Sequence, residues 1–486
     1  MSKRAKSQRG RWAKIALLIV VVLIGGFFLI KILPFNSVFA PFFHVYSKVY
    51  TKVIEPLMDD SERVLIFAPH PDDETLGCGG AIQKAVREGK TVKVVFVTSG
   101  DSFGNDYEMT GPAKDLPRGV ALGYLRQKEA LEATAILGLE KEHVIFLGYP
   151  DQGIEKMWWT YRSGDHPYYS PYTKTDKSPY LSGYTISAPY LGEALLQDIQ
   201  DILETFQPQI IYLPHPADLH SDHWVTYSFV KEALERLRRK GSQWVNDIKI
   251  NLYLVHFGRI KWPPLWGYAP HLHLAPPSQL MSTRNWIGLE LEEEEITKKR
   301  EAINQYRSQQ IVREFLLAFV KANEVYAIDN NYYVKENEST FIPDEKGEFT
   351  IPKIINGGDI QGLEVILEEN TIILKLYHDS GAPPQARYRF YLLGYKDGEV
   401  VFQESYVLFD RKKIIRLQGD YLCYSPVVLK DSGWVALAFL FEHLPFPDTL
   451  FLSVESFTSQ LVLDRLPWSM VVLENDGMVI HSSLEE

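Results

Sequence analysis

The stretch Phe67–Gly80, FAPHPDDETLGCGG, decides the fold and points to the chemistry. It continues an apolar run, RVLIF (63–67), which is typical of a strand buried on both faces. Three glycines at 77, 79 and 80 suit the start of a helix that packs close to a sheet. Between strand and helix lie one histidine and three acids within residues 70–74, and such close like charges need a positive partner or a reaction.

Outward from this stretch, short apolar runs alternate with amphipathic helices. Further strands are predicted within 91–100, 143–150, 208–216 and 249–257, and helices within 79–90, 122–139, 191–206 and 222–240. Residues 291–324 suggest one or two closing helices, and 153–190 and 257–290 look irregular. The alternation predicts an α/β fold with a mostly parallel, Rossmann-like sheet.

The C-terminal part has a different pattern. Short alternating runs such as TIILKLYH (371–378), separated by turn signals such as KDG (396–398), predict an all-β, sandwich-like domain over residues 340–486. The α/β domain is assigned to 63–335, and residues 36–62 read as a connector.

The N-terminus predicts a membrane anchor. Residues 1–14 carry six positive charges and no acid, and 15–30 carry no charge. Extended to residue 35, the apolar segment has about the ~20 residues that a transmembrane helix needs. The positive-inside rule then places residues 1–14 in the cytoplasm and the remainder outside, as a single-pass protein. A signal peptide cleaved after VFA (38–40) is the alternative.

Composition limits the partners. The formal charge of 51 − 62 = −11 argues against nucleic acid, because a phosphate-binding surface needs clustered positive charge. The two cysteines, Cys78 and Cys423, lie in unlike contexts and do not suggest a disulfide.

The first polar cluster fits a metal site. His70 and Asp73 can reach one ion if the chain turns sharply between them, and the adjacent Asp72 can act as a general base on a metal-bound water. A second cluster, LPHPADLHSDH (213–223), also follows a predicted strand and holds three histidines and two aspartates. One of these histidines with His70 and Asp73 would give three protein ligands, as in catalytic zinc sites. Charged turns at strand ends without an ion are the structural alternative.

These motifs resemble the PIG-L/LmbE-like de-N-acetylase family over roughly residues 63–327. The carriers are APHPDDETLGCGG (68–80) and HPADLHSDH (215–223), supported by RQKEA (126–130), FLGYPD (146–151) and YRSQ (306–309). The resemblance implies a zinc hydrolase that removes acetyl from N-acetylglucosamine-type sugars.

The resemblance also implies roles for single residues. His70, Asp73 and His223 would hold Zn²⁺, Asp72 would be the general base, and His220, oriented by Asp222, would act protonated on the oxyanion or the leaving amine. Arg126 and Asp151 would contact sugar hydroxyls. A helix salt bridge with Glu129 is the alternative for Arg126, and another divalent ion is the alternative for zinc.

The expected substrate is an N-acetylated sugar in a cell-surface or lipid-linked glycan. Two alternatives stay open: a zinc amidase for a different N-acyl compound, and a surface glycan-binding protein with an inactive hydrolase domain. The aromatics of 153–190, among them Trp158, Trp159 and Tyr180, either stack on sugar rings or pack against the protein.

Overall fold

The computed structural model describes most of the chain from residue 62 onwards. The described residues are 55–56, 62–104, 115–257, 262–263, 267–278, 280–281, 283–344, 359–369, 371–378, 387–409, 413–418, 427–430, 434–441, 445–458 and 461–474.

An eight-stranded sheet forms the centre of the first half. Its strands are β1 (Glu55–Pro56), β2 (Arg63–Ala68), β3 (Thr91–Thr98), β4 (Val144–Tyr149), β5 (Ile210–Pro214), β6 (Lys249–Tyr253), β7 (Trp286–Glu290) and β8 (Asn323–Ile328). The spatial order is β1-β7-β8-β6-β5-β2-β3-β4. The run β6-β5-β2-β3-β4 is parallel throughout, whereas β8 is antiparallel to both β6 and β7.

Helices cover both faces of this sheet, which is why its strands are apolar on both sides. Leu65 and Phe67 of β2 belong to one hydrophobic core and Val64 and Ile66 to the other. The helices are α1 (Asp73–Arg87), α2 (Arg118–Ile136), α3 (Ile154–Trp159), α4 (Gly192–Phe206), α5 (Ser221–Arg239), α6 (Glu293–Ile303) and α7 (Arg313–Leu317).

Two further sheets form the C-terminal half. They contain β9 (Tyr332–Lys335), β10 (Ser339–Pro343), β11 (Ile360–Glu368), β12 (Thr371–His378), β13 (Arg387–Lys396), β14 (Glu399–Phe409), β15 (Lys413–Gln418), β16 (Val427–Lys430), β17 (Trp434–Leu440), β18 (Thr449–Thr458) and β19 (Leu461–Glu474). The orders are β10-β11-β12-β17-β16 and β15-β14-β13-β18-β19-β9. Residues from both sheets share one hydrophobic core.

The predicted α/β fold with a mostly parallel sheet and C-terminal β-sheets is confirmed. Three local predictions differ from the structure. The irregular stretch 257–290 ends in β7, the stretch 153–190 begins with α3, and β8 starts inside the predicted helical stretch 291–324. In addition, β9 lies inside the predicted α/β range but pairs with β19, an association that depends on contacts about 140 positions away along the chain.

The predicted membrane anchor, residues 15–35, lies outside the described residues, as do 1–14, Cys423 and most of the connector 36–62. Within the described part of the chain, no helix has the length and apolar character needed to cross a membrane. Cys78 is buried and carries a free thiol.

Candidate active site

The loops after all five parallel strands contribute polar side chains to one site. Because the carboxyl ends of parallel strands meet at one edge of the sheet, these side chains converge there. They are His70, Asp72 and Asp73 after β2, Asp101 after β3, Asp151 after β4, Asp218, His220, Asp222 and His223 after β5, and His256 after β6.

The three predicted metal ligands meet at one carboxylate oxygen. Asp73 Oδ2 lies 3.1 Å from His70 Nδ1 and 3.2 Å from His223 Nε2. All three residues are buried. Two imidazoles and a carboxylate are a donor set that suits a divalent ion such as Zn²⁺.

Further donors surround this group. In the described part of the chain, three overlapping sets place their ligand atoms within 4.8 Å of one another: His70 with His220 and His223, Asp73 with His223 and His256, and His70 with Asp151 and Asp222. Asp222 Oδ1 is buried without a hydrogen-bond partner. A buried carboxylate oxygen of this kind is costly unless a cation satisfies it. The residues present therefore fit the metal that the resemblance implies.

Asp218 supports His223 from behind. Its Oδ2 lies 3.1 Å from His223 Nδ1 and accepts hydrogen bonds from the backbone N–H groups of Val255 and His256. Its Oδ1 accepts the His220 N–H at 2.9 Å. A carboxylate on the far nitrogen of a ligating histidine fixes the ring orientation and raises the basicity of the ligating nitrogen.

Asp72 occupies the predicted position of the general base, in a constrained backbone. It precedes α1 with φ 136°, a value that residues other than glycine seldom adopt. Its backbone N–H donates to Glu74 Oε2, and Glu74 Oε1 accepts from the hydroxyls of Thr75 and Tyr306. Glu74 thus ties the turn to the YRSQ segment.

Arg126 lies against Asp72 rather than in open space. Its Nη2 donates to Asp72 Oδ2 at 3.0 Å and to the Pro71 carbonyl at 2.6 Å, and its Nη1 donates to the Gly100 and Phe103 carbonyls. Both Nη groups are therefore engaged by the protein, and the sugar contact of Arg126 stays a prediction. The predicted alternative, a salt bridge to Glu129, is also not seen, since Glu129 accepts from Ser308.

The relation between His220 and Asp222 differs from the prediction. The Asp222 carboxylate lies 3.3 Å from His70 Nε2 and accepts the Gln152 N–H at 2.7 Å. Only the backbone N–H of Asp222 contacts His220, at 3.3 Å from Nδ1.

Asp151 also faces the metal donors. Its Oδ1 lies 3.3 Å from His70 Nε2, and its Oδ2 accepts from the backbone N–H and hydroxyl of Ser102. The sequence predicts a sugar contact for this residue, and that role stays a prediction.

Burial and charge separate the pKa values of the acids and histidines. Burial raises the pKa of Asp72 to about 7, against the influence of Arg126. Burial alone would also raise the pKa of Asp73, but His223 and His70 lower it well below its usual range. The pKa of His223 is raised to about 10, because Asp218 and Asp73 outweigh burial, which alone would lower it. Burial, reinforced by His70 and His223, lowers the pKa of His220 to about 4.

The low pKa of His220 bears on its predicted role. The sequence predicts a protonated His220. Burial, with His70 and His223, lowers the pKa of this ring and favours its neutral form, and the protonated role stays a prediction. Because Nδ1 accepts the Asp222 N–H, the neutral ring carries its hydrogen on Nε2. His220 can therefore still donate a hydrogen bond without a positive charge.

The sequence motifs did not indicate Asp101 and His256 as site residues. They also did not indicate that Asp218 supports His223. The ring of His256 lies 5.0 Å from that of His223, and Asp101 accepts from the Tyr180 hydroxyl at 2.9 Å. Asp101 follows the predicted strand 91–100, in VTSGD (97–101), and His256 lies at the carboxyl end of the predicted strand 249–257, in YLVHF (253–257). The rule that ligands bind at the carboxyl ends of strands would have found them.

The aromatics of the insertion pack inside the protein. Trp158 and Tyr180 are fully buried. Trp158 contacts Phe229 of α5 and Phe451 of β18, with ring centroids 5.0 and 5.4 Å apart. Trp158 and Tyr180 therefore pack against the protein, which is one of the two predicted roles for the aromatics of this insertion.

Fold and site together define a Rossmann-like α/β domain with a buried His/Asp donor set at the carboxyl edge of its sheet. Residues 65–234 match the PIG-L family, which is described as GlcNAc-PI de-N-acetylase.

Relatives are similar over part of their length. Diacetylchitobiose deacetylase of Thermococcus kodakarensis is 32% identical over 114 residues, 24% of this chain and 39% of that protein. The 1D-myo-inositol 2-acetamido-2-deoxy-alpha-D-glucopyranoside deacetylase of Mycobacterium sp. (strain KMS) is 30% identical over 198 residues, 40% and 55% respectively. The chain thus spans about half or less of these curated relatives.

A solved structure is similar as well. It is that of N,N'-diacetylchitobiose deacetylase from Pyrococcus horikoshii, with 20% identity and a TM-score of 0.35, over 56% of this chain and 84% of that one.

Proposed function

We propose that this protein is a zinc-dependent hydrolase that removes the N-acetyl group from an N-acetylglucosamine-type sugar. The carrying observation is the arrangement of Asp72 and His220 around the cluster of His70, Asp73 and His223. The names of the matched family and of the relatives, which are de-N-acetylases and deacetylases of acetylated sugars, support the proposed reaction.

His70, Asp73 and His223 would hold the ion, and Asp218 would keep His223 oriented. When bound there, a divalent ion polarises an amide carbonyl and makes water more acidic. The donor set also admits other divalent ions.

Asp72 is the proton acceptor in this proposal. A pKa of about 7 leaves a substantial fraction ionised at neutral pH and allows the group to hold a proton once it is received. Arg126, which donates to Asp72 Oδ2, fixes the orientation of the carboxylate. Asp72 takes a proton from the attacking water and then passes it to the departing nitrogen, so that acetate and a free amine are formed.

His220 stabilises the developing oxyanion. Its Nε2–H can donate a hydrogen bond to the acyl oxygen as negative charge accumulates there. The ring centroid of His220 lies 4.7 Å from that of His70, which places this donor next to the ligand cluster. Asp151 remains the proposed contact for a sugar hydroxyl.

The cellular location is part of the proposal. The basic segment 1–14 and apolar segment 15–35 support a single-pass anchor with the catalytic domain outside the cytoplasm. The substrate would then be a cell-surface or lipid-linked glycan. Reporter fusions at the C-terminus test this: alkaline phosphatase is expected to be active there, and activity only of a cytoplasmic reporter would contradict it.

The activity is tested by acetate release from the full-length protein, purified in detergent. The substrates are N-acetylhexosamine glycans and, separately, amides with other acyl groups. We expect release from the glycans that stops on chelation and returns with Zn²⁺.

Asp72→Asn is expected to abolish release, while Asp165→Asn, an exposed residue in the insertion, serves as the matched control. Release from other amides alone would contradict the proposed substrate. No release from any amide by metal-loaded protein would contradict the proposed reaction.

A further inference from the structure

The β-sandwich contacts the helix that carries the metal ligand. Helix α5 begins at the site, and Trp224 directly follows His223. The indole of Trp224 stacks on that of Trp468 from β19, with ring centroids 6.0 Å apart and planes 15° from parallel. The Arg465 guanidinium, also on β19, lies over the Trp224 ring at 5.9 Å. Both indoles are buried.

Trp468 is the centre of an aromatic cluster between the two halves of the chain. Its ring centroid lies 5.8 Å from that of Trp158, 5.7 Å from Trp159 and 6.0 Å from Tyr391. Trp158 in turn contacts Phe229, so the cluster touches α5 at a second point. Aromatic pairs in such geometries stabilise a contact beyond the area that they bury.

Polar contacts extend the interface to the other end of α5. Thr449 Oγ1 donates to Glu235 Oε1 at 3.1 Å, and Arg239 Nη2 donates to the Asp448 carbonyl at 3.1 Å. Helix α5 is therefore held by the sandwich along most of its length, from the turn that follows the ligand to the C-terminal turn.

We propose that Trp468 is a positioning residue for the metal site, acting through Trp224 on His223. Metal ligands must be held within about 0.5 Å of their productive positions, by neighbours that are themselves fixed by packing. Asp218 fixes the ring of His223, and the Trp224–Trp468 stack fixes the backbone turn from which that ring projects. The sandwich then completes the catalytic unit instead of serving as a spacer.

This inference rests on the proposed metal site but not on the substrate, so metal binding tests it directly. In the full-length protein, Trp468→Ala is expected to raise the Kd for Zn²⁺ about tenfold, the lower end of the effect of losing ligand support. The Kd is measured by competition with a chromophoric chelator. The visible absorption of the Co²⁺-loaded protein should change as well, and Trp468→Phe should restore most of both properties.

The control variant is Phe439→Ala. Phe439 is buried in the sandwich core, where it packs on Tyr406 with ring centroids 5.4 Å apart. The Phe439→Ala substitution weakens the packing of the sandwich at a position that does not contact α5. It should therefore leave the Kd for Zn²⁺ and the Co²⁺ spectrum unchanged. Where Trp468→Ala does not fold, Trp468→Phe carries the test, with a smaller but measurable rise in Kd.

Wild-type Kd and spectrum in folded Trp468→Ala would overturn the positioning role. An equal rise in Kd for Phe439→Ala would also overturn it, because the effect would then reflect general loss of sandwich stability. Wild-type protein that binds neither Zn²⁺ nor Co²⁺ would overturn the proposed metal site, and this inference with it.

Discussion

Replacement of Asp218 by asparagine should weaken metal binding while leaving the protein folded. The carboxylate accepts the N–H groups of Val255 and His256 on Oδ2, which also faces His223 Nδ1, and the N–H of His220 on Oδ1. Asparagine has one acceptor oxygen, which is best placed on the Oδ2 side. Its amide NH₂ then faces the His220 N–H, so one donor loses its partner.

Two separate magnitudes follow for Asp218→Asn. Loss of the charged support behind His223 should weaken metal binding about 10- to 100-fold, or about 1.4–2.7 kcal/mol. The unsatisfied His220 N–H should lower the free energy of unfolding of the metal-free protein by about 1–3 kcal/mol. The first is measured by chelator competition and the second by urea unfolding after chelation.

The matched control is Asp198→Asn, another buried carboxylate, which accepts from Tyr149 and Thr185 away from the site. It should leave the Kd for Zn²⁺ at the wild-type value. If Asp218→Asn lowers only the unfolding free energy and keeps wild-type metal affinity, Asp218 does not support a metal ligand and the assignment of His223 loses its basis.

Three further predictions concern Arg126, His215 and Gly77. Arg126→Lys should lower kcat about 10- to 100-fold in acetate release, since losing a hydrogen bond to the charged Asp72 costs about 1.5–3 kcal/mol; an unchanged kcat would contradict this. Burial lowers the pKa of His215 from 6.5 to about 3, so its stabilising contribution is present above pH 6.5 and is lost as the pH falls towards 3. In wild-type protein, His215 should therefore steepen the fall of the unfolding free energy by up to about 1.4 kcal/mol per pH unit between pH 6.5 and pH 3, and His215→Gln should remove this contribution in urea unfolding. Equal dependence of the unfolding free energy on pH in the two proteins would refute the prediction. Gly77→Ala would place a Cβ 2.4 Å from Tyr253 Cδ2 and should lower the unfolding free energy by about 1–3 kcal/mol; an unchanged melting temperature would show that Tyr253 can move aside.

Local patterns predicted the parallel core of the sheet, since strands buried on both faces are continuous apolar runs and the helices between them are amphipathic. They did not predict β7 and β8, which are paired antiparallel to each other beside the parallel core. Nor did they predict β9, because its pairing with β19 depends on the tertiary fold.

Some contacts of the candidate site could likewise be predicted from the sequence, and others could not. His70, Asp72 and Asp73 are neighbours in sequence, as are His220, Asp222 and His223, so motifs reveal them. The contact of Arg126 with Asp72, and that of Trp468 with Trp224, join residues 54 and 244 positions apart. Such contacts depend on how loops and domains pack, which periodicity does not encode.

The most direct test measures metal content and acetate release together in Asp72→Asn and His223→Ala. With Asp72 as base and His223 as ligand, Asp72→Asn should keep its bound ion and lose at least about 100-fold in kcat, a typical contribution of general base catalysis. His223→Ala should lose both the ion and the activity. An Asp72→Asn protein that holds the ion and releases acetate at the wild-type rate would contradict the account.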